Sequence, residues 1–201
     1  SVLRQLIAHI GDDAFVAGVG EYLRSHAFGN GELAEFIVAI EGAAGRSLTA
    51  WSAAWLQTAG ADRIGLEGDA LTRVAPEAHP ADRAHTLDVA AFVGGREVAR
   101  VELVVDGERT PVPGLADLPA GALIVPNASD LTWAEVALDA ATVDALAGSL
   151  ADVPDAQARS VLWVSVLGAV ARAEVDPRTV LSVFVAAWPR EDSGAVLSRV
   201  S

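Results

Sequence analysis

Four histidines, His9, His26, His79 and His85, are the side chains of this 201-residue chain able to exchange a proton near neutral pH or to offer an imidazole to a metal. Two imidazoles converge on one zinc when they stand four apart on a single helix, with a Glu between them for hydrolytic work. No two of the four are so spaced: His9 and His26 fall on different predicted helices, and His79 and His85 flank a Pro/Asp turn at the edge of a predicted strand. They read as surface or helix-end histidines. Asp12-Asp13 and the Glu32/Glu35 pair have the composition of a general acid and base. Their place at predicted helix starts assigns them to capping and to the positive end of the helix instead. Gly29-Asn30-Gly31 and Gly94-Gly95 lack the Lys or Ser/Thr that completes a phosphate loop, and read as turns. Trp51 and Trp55 read as core aromatics rather than a stacking platform. Ser52, Ser160 and Ser165 have no His or acid at a nucleophile-motif spacing. The residues therefore assign no catalytic, cofactor-binding or metal-ligating position.

Composition closes further routes. All fourteen basic residues are Arg, and Cys and Met are absent, so no thiolate nucleophile, Cys-zinc site, Walker lysine or Schiff-base lysine exists in these residues. A net charge of −13 with singly scattered arginines argues against a nucleic-acid partner, which needs a basic stripe. The 52% hydrophobic content excludes an acidic disordered tail. The longest apolar stretch, Val161 to Ala171, is short of the roughly 20 residues of a membrane span, so no membrane partner is expected. The chain opens at Ser1 without an initiator Met, which is the first sign that it is a piece of something longer.

The elements expected to position these residues fall into three zones. Up to about Gly60 the period is helical: Val2, Leu3, Leu6, Ile7 and Ile10 form one stripe ending at Gly11, and Asp12 or Asp13 caps a second helix. Asn30 is the expected cap of a third, with Gly45 as its left-handed exit. Ser47 or Thr49 opens a fourth carrying Trp51 and Trp55. From Ala61 to Pro126 the period becomes two. Thr86–Val93 runs through Gly94-Gly95 into Glu97–Val105, and Asp106-Gly107 signals a second hairpin towards Arg109–Val112. Six or seven short strands here predict a small β-sandwich. The third zone returns to helix, with Asp139, Asp155 and Pro177 at helix starts, Pro189 as a stop and Val196–Val200 as a further amphipathic segment.

Particular runs then bring a family into view. SVLRQL from Ser1, GDDAF from Gly11, YLRSHAFGN from Tyr22 and EGAAGRSLTAWSAAWLQTAG from Glu41 resemble the zinc aminopeptidases of the aminopeptidase N type. VELVVDGERT from Val101 is similar to that family's small β-sandwich domain. VPNASDLTWAEV from Val125 is similar to its junction into a C-terminal helical domain, and ARSVLW from Ala158 to the first helices of that domain. The pattern departs at Trp133, Glu135 and Ala137, where the family usually has Tyr, Lys and a basic residue.

The resemblance implies an α+β, multi-unit fold: residues 1–61 as the last helices of a catalytic domain, 62–126 as a small β-sandwich, and 127–201 as the start of an all-α helical-repeat domain. It implies a fragment of an enzyme that removes N-terminal amino acids from peptides. The catalytic zinc, its ligands, the general base and a catalytic tyrosine would then lie upstream of Ser1, with no cofactor in these residues. The expected partners are peptide substrates for the whole enzyme and the rest of the catalytic domain packed on the first helices; the expected location is the cytoplasm. The alternative class is a stand-alone, non-catalytic interaction module on the same scaffold.

Overall fold

The computed structural model describes residues 2–200; Ser1 and Ser201, the outer limits of the first and last expected segments, lie outside the described residues. The architecture is α+β, with eight α-helices and two small sheets among the described residues. Helices α1 (Val2–Ile10), α2 (Asp12–Ser25), α3 (Leu33–Ala44) and α4 (Thr49–Leu56) come first. Gly45 leaves α3 at φ 66°, as a left-handed exit requires. Asn30 does not cap α3. Glu32 does, in a capping box where the Glu35 side chain takes the Glu32 N–H at 2.8 Å and Glu32 receives the third amide in return. Asp12 and Asp13 occupy the first turn of α2 behind Gly11 at its N-cap, so they act on the helix end by charge rather than by a capping bond.

The strands are β1 (Asp62–Glu67), β2 (Ala70–Val74), β3 (His85–Val93), β4 (Arg96–Val105), β5 (Arg109–Pro111), β6 (Leu123–Pro126) and β7 (Ala134–Ala137). Gly94 and Gly95, at φ 55° and 75°, turn β3 into β4 as the sequence predicts. The Asp106-Gly107 hairpin does not form. After it the chain leaves β4's sheet, and β5 pairs with β2 in the other one. One sheet runs β5-β2-β1-β7, the other β4-β3-β6. β7 lies beyond residue 126 and joins β1 in parallel, Ile64 opposite Val136.

Three apolar clusters hold these layers. Leu6, Ile37, Ile40, Leu48, Trp51 and Trp55 join the first four helices, which bears out the core reading of the two tryptophans. Ile64 and Leu71 from one sheet meet Leu87, Val89 and Val105 from the other. The opposite face of the second sheet, with Ala90, Phe92, Leu123 and Val125, packs on the remaining helices. β3 is thus buried on both faces, which explains why its sequence is apolar at consecutive positions. The remaining helices are α5 (Ala140–Ser149), α6 (Ala156–Ala171), α7 (Pro177–Ala187) and α8 (Gly194–Val200). Asp139, Asp155 and Asp176 cap the first three through side-chain bonds to first-turn amides. Among the described residues no helix is long and apolar enough to cross a membrane.

Candidate functional site

The four histidines remain on separate elements. His9 lies on α1, where burial and then the nearby Arg46 charge lower its pKa below 6.5. His79 sits exposed in the turn after β2, its N–H donating to the Pro76 carbonyl at 3.2 Å. His26 follows α2 and faces Glu35. His85 opens β3 and has no exposed surface at all, so its reading as a surface histidine is wrong. Its partners, Asp62 and Thr132, stand 23 and 47 residues away in sequence. Among the described residues no three His, Asp or Glu side chains converge as a metal site requires, so these residues do not fit the family's zinc.

The densest polar constellation is the one around His85. Its Nε2 faces the Asp62 carboxylate at 3.1 Å and its Nδ1 faces the Thr132 hydroxyl at 2.7 Å. The Gln5 amide, with its nitrogen turned to Thr132, donates to that hydroxyl at 2.8 Å and clasps both backbone groups of Thr86. One donor order satisfies the whole chain: Gln5 to Thr132, Thr132 to His85, and His85 Nε2–H to Asp62. Asp62 also receives Arg83 at 2.5 Å and Arg73 at 2.8 Å. Burial works to raise the Asp62 carboxyl; the bonds from His85, Arg73 and Arg83 outweigh it and hold it below 3.8. Arg83 further donates to Ala54 O at 3.0 Å, at the end of α4, and lies over the Trp55 ring at 5.8 Å.

An acid, an imidazole and a hydroxyl in line are the parts of a nucleophilic triad. Here Asp62 and His85 are fully enclosed and Thr132 is 1% exposed, so no substrate reaches the hydroxyl. What the array does is mechanical. It ties α1, α4, β1, β2, β3 and the β6–β7 loop at one point.

That loop carries the junction motif. Asn127 and Thr132 bond each other in both directions at 3.1 Å, and Asn127 and Asp130 hold positive φ of 54° and 52°. Asp130 receives Arg199 of α8 at 2.9 Å and Arg4 of α1 at 3.5 Å. Glu135, standing where a Lys is usual, pairs with Arg172 at 3.2 Å. Arg63 and Arg172 then pull the Glu174 carboxyl down to about 2, closing a charged seam between β1 and the turn after α6.

The largest open concavity, about 740 Å³, lies between α2 and α3, with Tyr22, Val38 and Ala39 in its lining and His26 and Glu35 at one end. Both His26 nitrogens face acceptors, Tyr22 O at 2.9 Å and Glu35 Oε2 at 3.1 Å, which suits the doubly protonated ring. The Tyr22 carbonyl and then Glu35 raise its pKa above 6.5, while the Glu32 amide and then His26 lower Glu35 below 4.5. The histidine's contribution to stability is therefore complete below its ordinary pKa and disappears as pH rises through the raised one. The carboxylate's is complete above 4.5 and disappears as pH falls through the lowered value. An NMR titration should show His26 with a midpoint above 6.5 and His9 with one below it. Glu35→Gln should lower the His26 midpoint without abolishing its elevation, because the Tyr22 carbonyl remains. Equal midpoints for His9 and His26 would contradict the geometry.

Fold and polar array together define a scaffold segment, with its acid–imidazole–hydroxyl set sealed inside and its open groove lined mainly by apolar groups. No family model matches the chain. It is 35% identical, over 220 aligned positions covering 98% of this chain, to aminopeptidase N of Streptomyces lividans. The crystal structure of Legionella pneumophila aminopeptidase A in complex with aspartic acid has the same fold over 99% of the chain, at a TM-score of 0.67 and 14% identity. The chain spans 26% of the first relative's length and 25% of the second's, about a quarter in each case. It is an aminopeptidase N-type sequence, related to that family along nearly all of its length.

Proposed function

We propose that the chain is scaffold and chamber wall of a zinc-dependent aminopeptidase that removes N-terminal amino acids from peptides, with the catalytic zinc site upstream of Ser1. The observation that carries this reading is the 35% identity running through all three zones of the chain. Residues 1–61 then close the catalytic domain, and the groove between α2 and α3 is where the rest of that domain packs. Residues 62–126 are the small β-sandwich, a reading supported by the apolar cluster drawn from both sheets. Residues 127–201 begin the helical-repeat domain, supported by the packing of α5 to α8 around Trp163. The net charge of −13 supports a protein without a nucleic-acid partner, and the reading includes a cytoplasmic location.

The test is hydrolysis of an aminoacyl-nitroanilide. A longer protein carrying this chain releases the chromophore, loses that activity to a chelator and regains it with zinc. The chain alone releases none and takes up no stoichiometric zinc. Chelator-sensitive release by the chain alone, free of contaminating peptidase, overturns the assignment. The same open groove would serve a stand-alone interaction module, which is the reading to adopt if the longer protein carries no zinc motif ahead of Ser1.

A further inference from the structure

The second sheet ends on a long unpaired edge. β4 is ten residues long and pairs with β3 alone, whereas the other edge strands, β5, β6 and β7, have three or four residues. A strand in this position presents a row of backbone donors and acceptors to any extended chain that fits it. The pairing with β3 skips Val98, so the strand bends there and its regular edge runs from Ala99 to Val105.

The side chains on that edge are arranged symmetrically about Val101. Arg100 and Glu102 flank it, then Ala99 and Leu103, then Val98 and Val104, the last two being 47% and 49% exposed. Glu102 is in addition poorly placed within its own sheet. It stands directly opposite Asp88 in the register, an unfavourable like-charge pair, and the neighbouring Arg100 is committed to Asp88, Glu97 and Asp155. Among the described residues Glu102 has no ion-pair partner of its own.

We propose that β4 is a self-association edge, on which a second copy of this chain pairs antiparallel about a two-fold axis at Val101. In that register each Glu102 meets the Arg100 of the other copy, twice by symmetry. Ala99 meets Leu103 and Val98 meets Val104, so charge lies on opposite charge and apolar on apolar. Moving the axis one residue to Glu102 would set two glutamates face to face, which fixes the register. The two three-stranded sheets become one of six strands, and two exposed edges are removed together. A foreign extended peptide would satisfy the backbone but not, in general, this antisymmetric order of charges. The contact is short, and two chains of net charge −13 repel, so association belongs to the weak class and is sought at ~0.15 M salt, where charges are screened beyond about 8 Å.

The test uses the whole 201-residue chain in sedimentation equilibrium from micromolar to millimolar concentration. A reversible monomer–dimer equilibrium is expected. Glu102→Arg sets Arg against Arg and should weaken it about tenfold or more. Because the chain has no Cys, Val101→Cys supplies a unique thiol. Directly opposed residues in an antiparallel pair have Cβ atoms about 4.5–5.5 Å apart, so mild oxidation should yield a covalent dimer after small adjustment. Val104→Cys, whose two copies lie far apart along the paired strands, should not cross-link. A chain that stays monomeric at millimolar concentration overturns the proposal. So does a dimer indifferent to Glu102→Arg, or equal cross-linking through positions 101 and 104; the last two results would move the interface to another face, such as the groove between α2 and α3.

Discussion

Asp62→Asn is expected to lower the stability of the chain by about 3–5 kcal/mol, because it leaves buried cations without their counter-charge. Arg83 is 1% exposed and Arg73 10%, and both donate to the Asp62 carboxylate, as does the enclosed His85. The asparagine keeps the volume but offers one acceptor oxygen where three donors converge, and no negative charge. Arg83 retains the carbonyls of Ala54 and Ala59, which moderates the loss without removing it. Asp82 is the internal control. It also pairs with Arg73, at 3.3 Å, but is 93% exposed, so Asp82→Asn should change stability by no more than about 0.5 kcal/mol. Urea unfolding followed by tryptophan fluorescence measures both, Trp55 lying edge-on to His85 at 4.9 Å. The sign of the pH dependence follows from the lowered Asp62 pKa. Its contribution is complete above the ordinary carboxylate value of 3.8 and is lost as pH falls through the lower, folded value. Acid destabilisation of the native chain should therefore be blunted in Asp62→Asn. Equal stability of the two single variants would mean that the array does not hold the first helices to the sheets.

The legible parts of the chain were those decided by neighbours in sequence. Asp139, Asp155, the Asp176-Pro177 step, Gly45 and the Gly94-Gly95 turn each act within a few residues, and each does what its type and position imply. Asn30 misled because it carries the right side chain two residues too early, while Glu32 and Glu35 form the reciprocal pair that sets the start of α3. Asp106-Gly107 misled because a turn residue specifies a change of direction and not the strand that receives it. Nothing local could show the burial of His85, since its partners come from α1, β1 and the β6–β7 loop. The one signal was indirect. Asn127, Asp130 and Thr132 belong to the run that resembles the family's domain junction, and each has a distinct structural role. Asn127 closes the loop on Thr132, Asp130 joins α1 to α8, and Thr132 reaches His85. The absence of Lys also takes on a physical meaning here. Planar guanidinium groups serve several acceptors at once at Arg73, Arg83, Arg100 and Arg159, which a lysine ammonium would not do in the same geometry.

Trp163→Ala is the second large effect, expected at about 3–5 kcal/mol from lost burial and the cavity left behind. In sequence α6 is apolar on nearly every side as far as Val170, which identifies a buried helix but not the side chain that organises its surroundings. The structure does. Trp163 has no exposed surface, and its ring meets Phe184 at 4.8 Å and Trp188 at 5.7 Å between centroids, both contributed by the segment that follows α7's start. One residue further along, Val164 turns outward and is 37% exposed, so Val164→Ala should cost no more than about 1 kcal/mol. The contrast between adjacent positions separates packing from helix propensity, because alanine is the best helix former in both variants. The loss at Trp163 should also loosen the approach of α7 to α6. Arg159, one turn earlier on α6, holds the buried Glu191 at 2.8 Å beyond α7 and limits how far the helices can close over the void. A collapsed, well-packed Trp163→Ala variant destabilised by less than about 2 kcal/mol would show that the array repacks freely. Otherwise the destabilised variant should expose amides of α6 and α7 to hydrogen exchange together, while those of α1 to α4, whose core lies in a separate cluster, keep their protection until global unfolding.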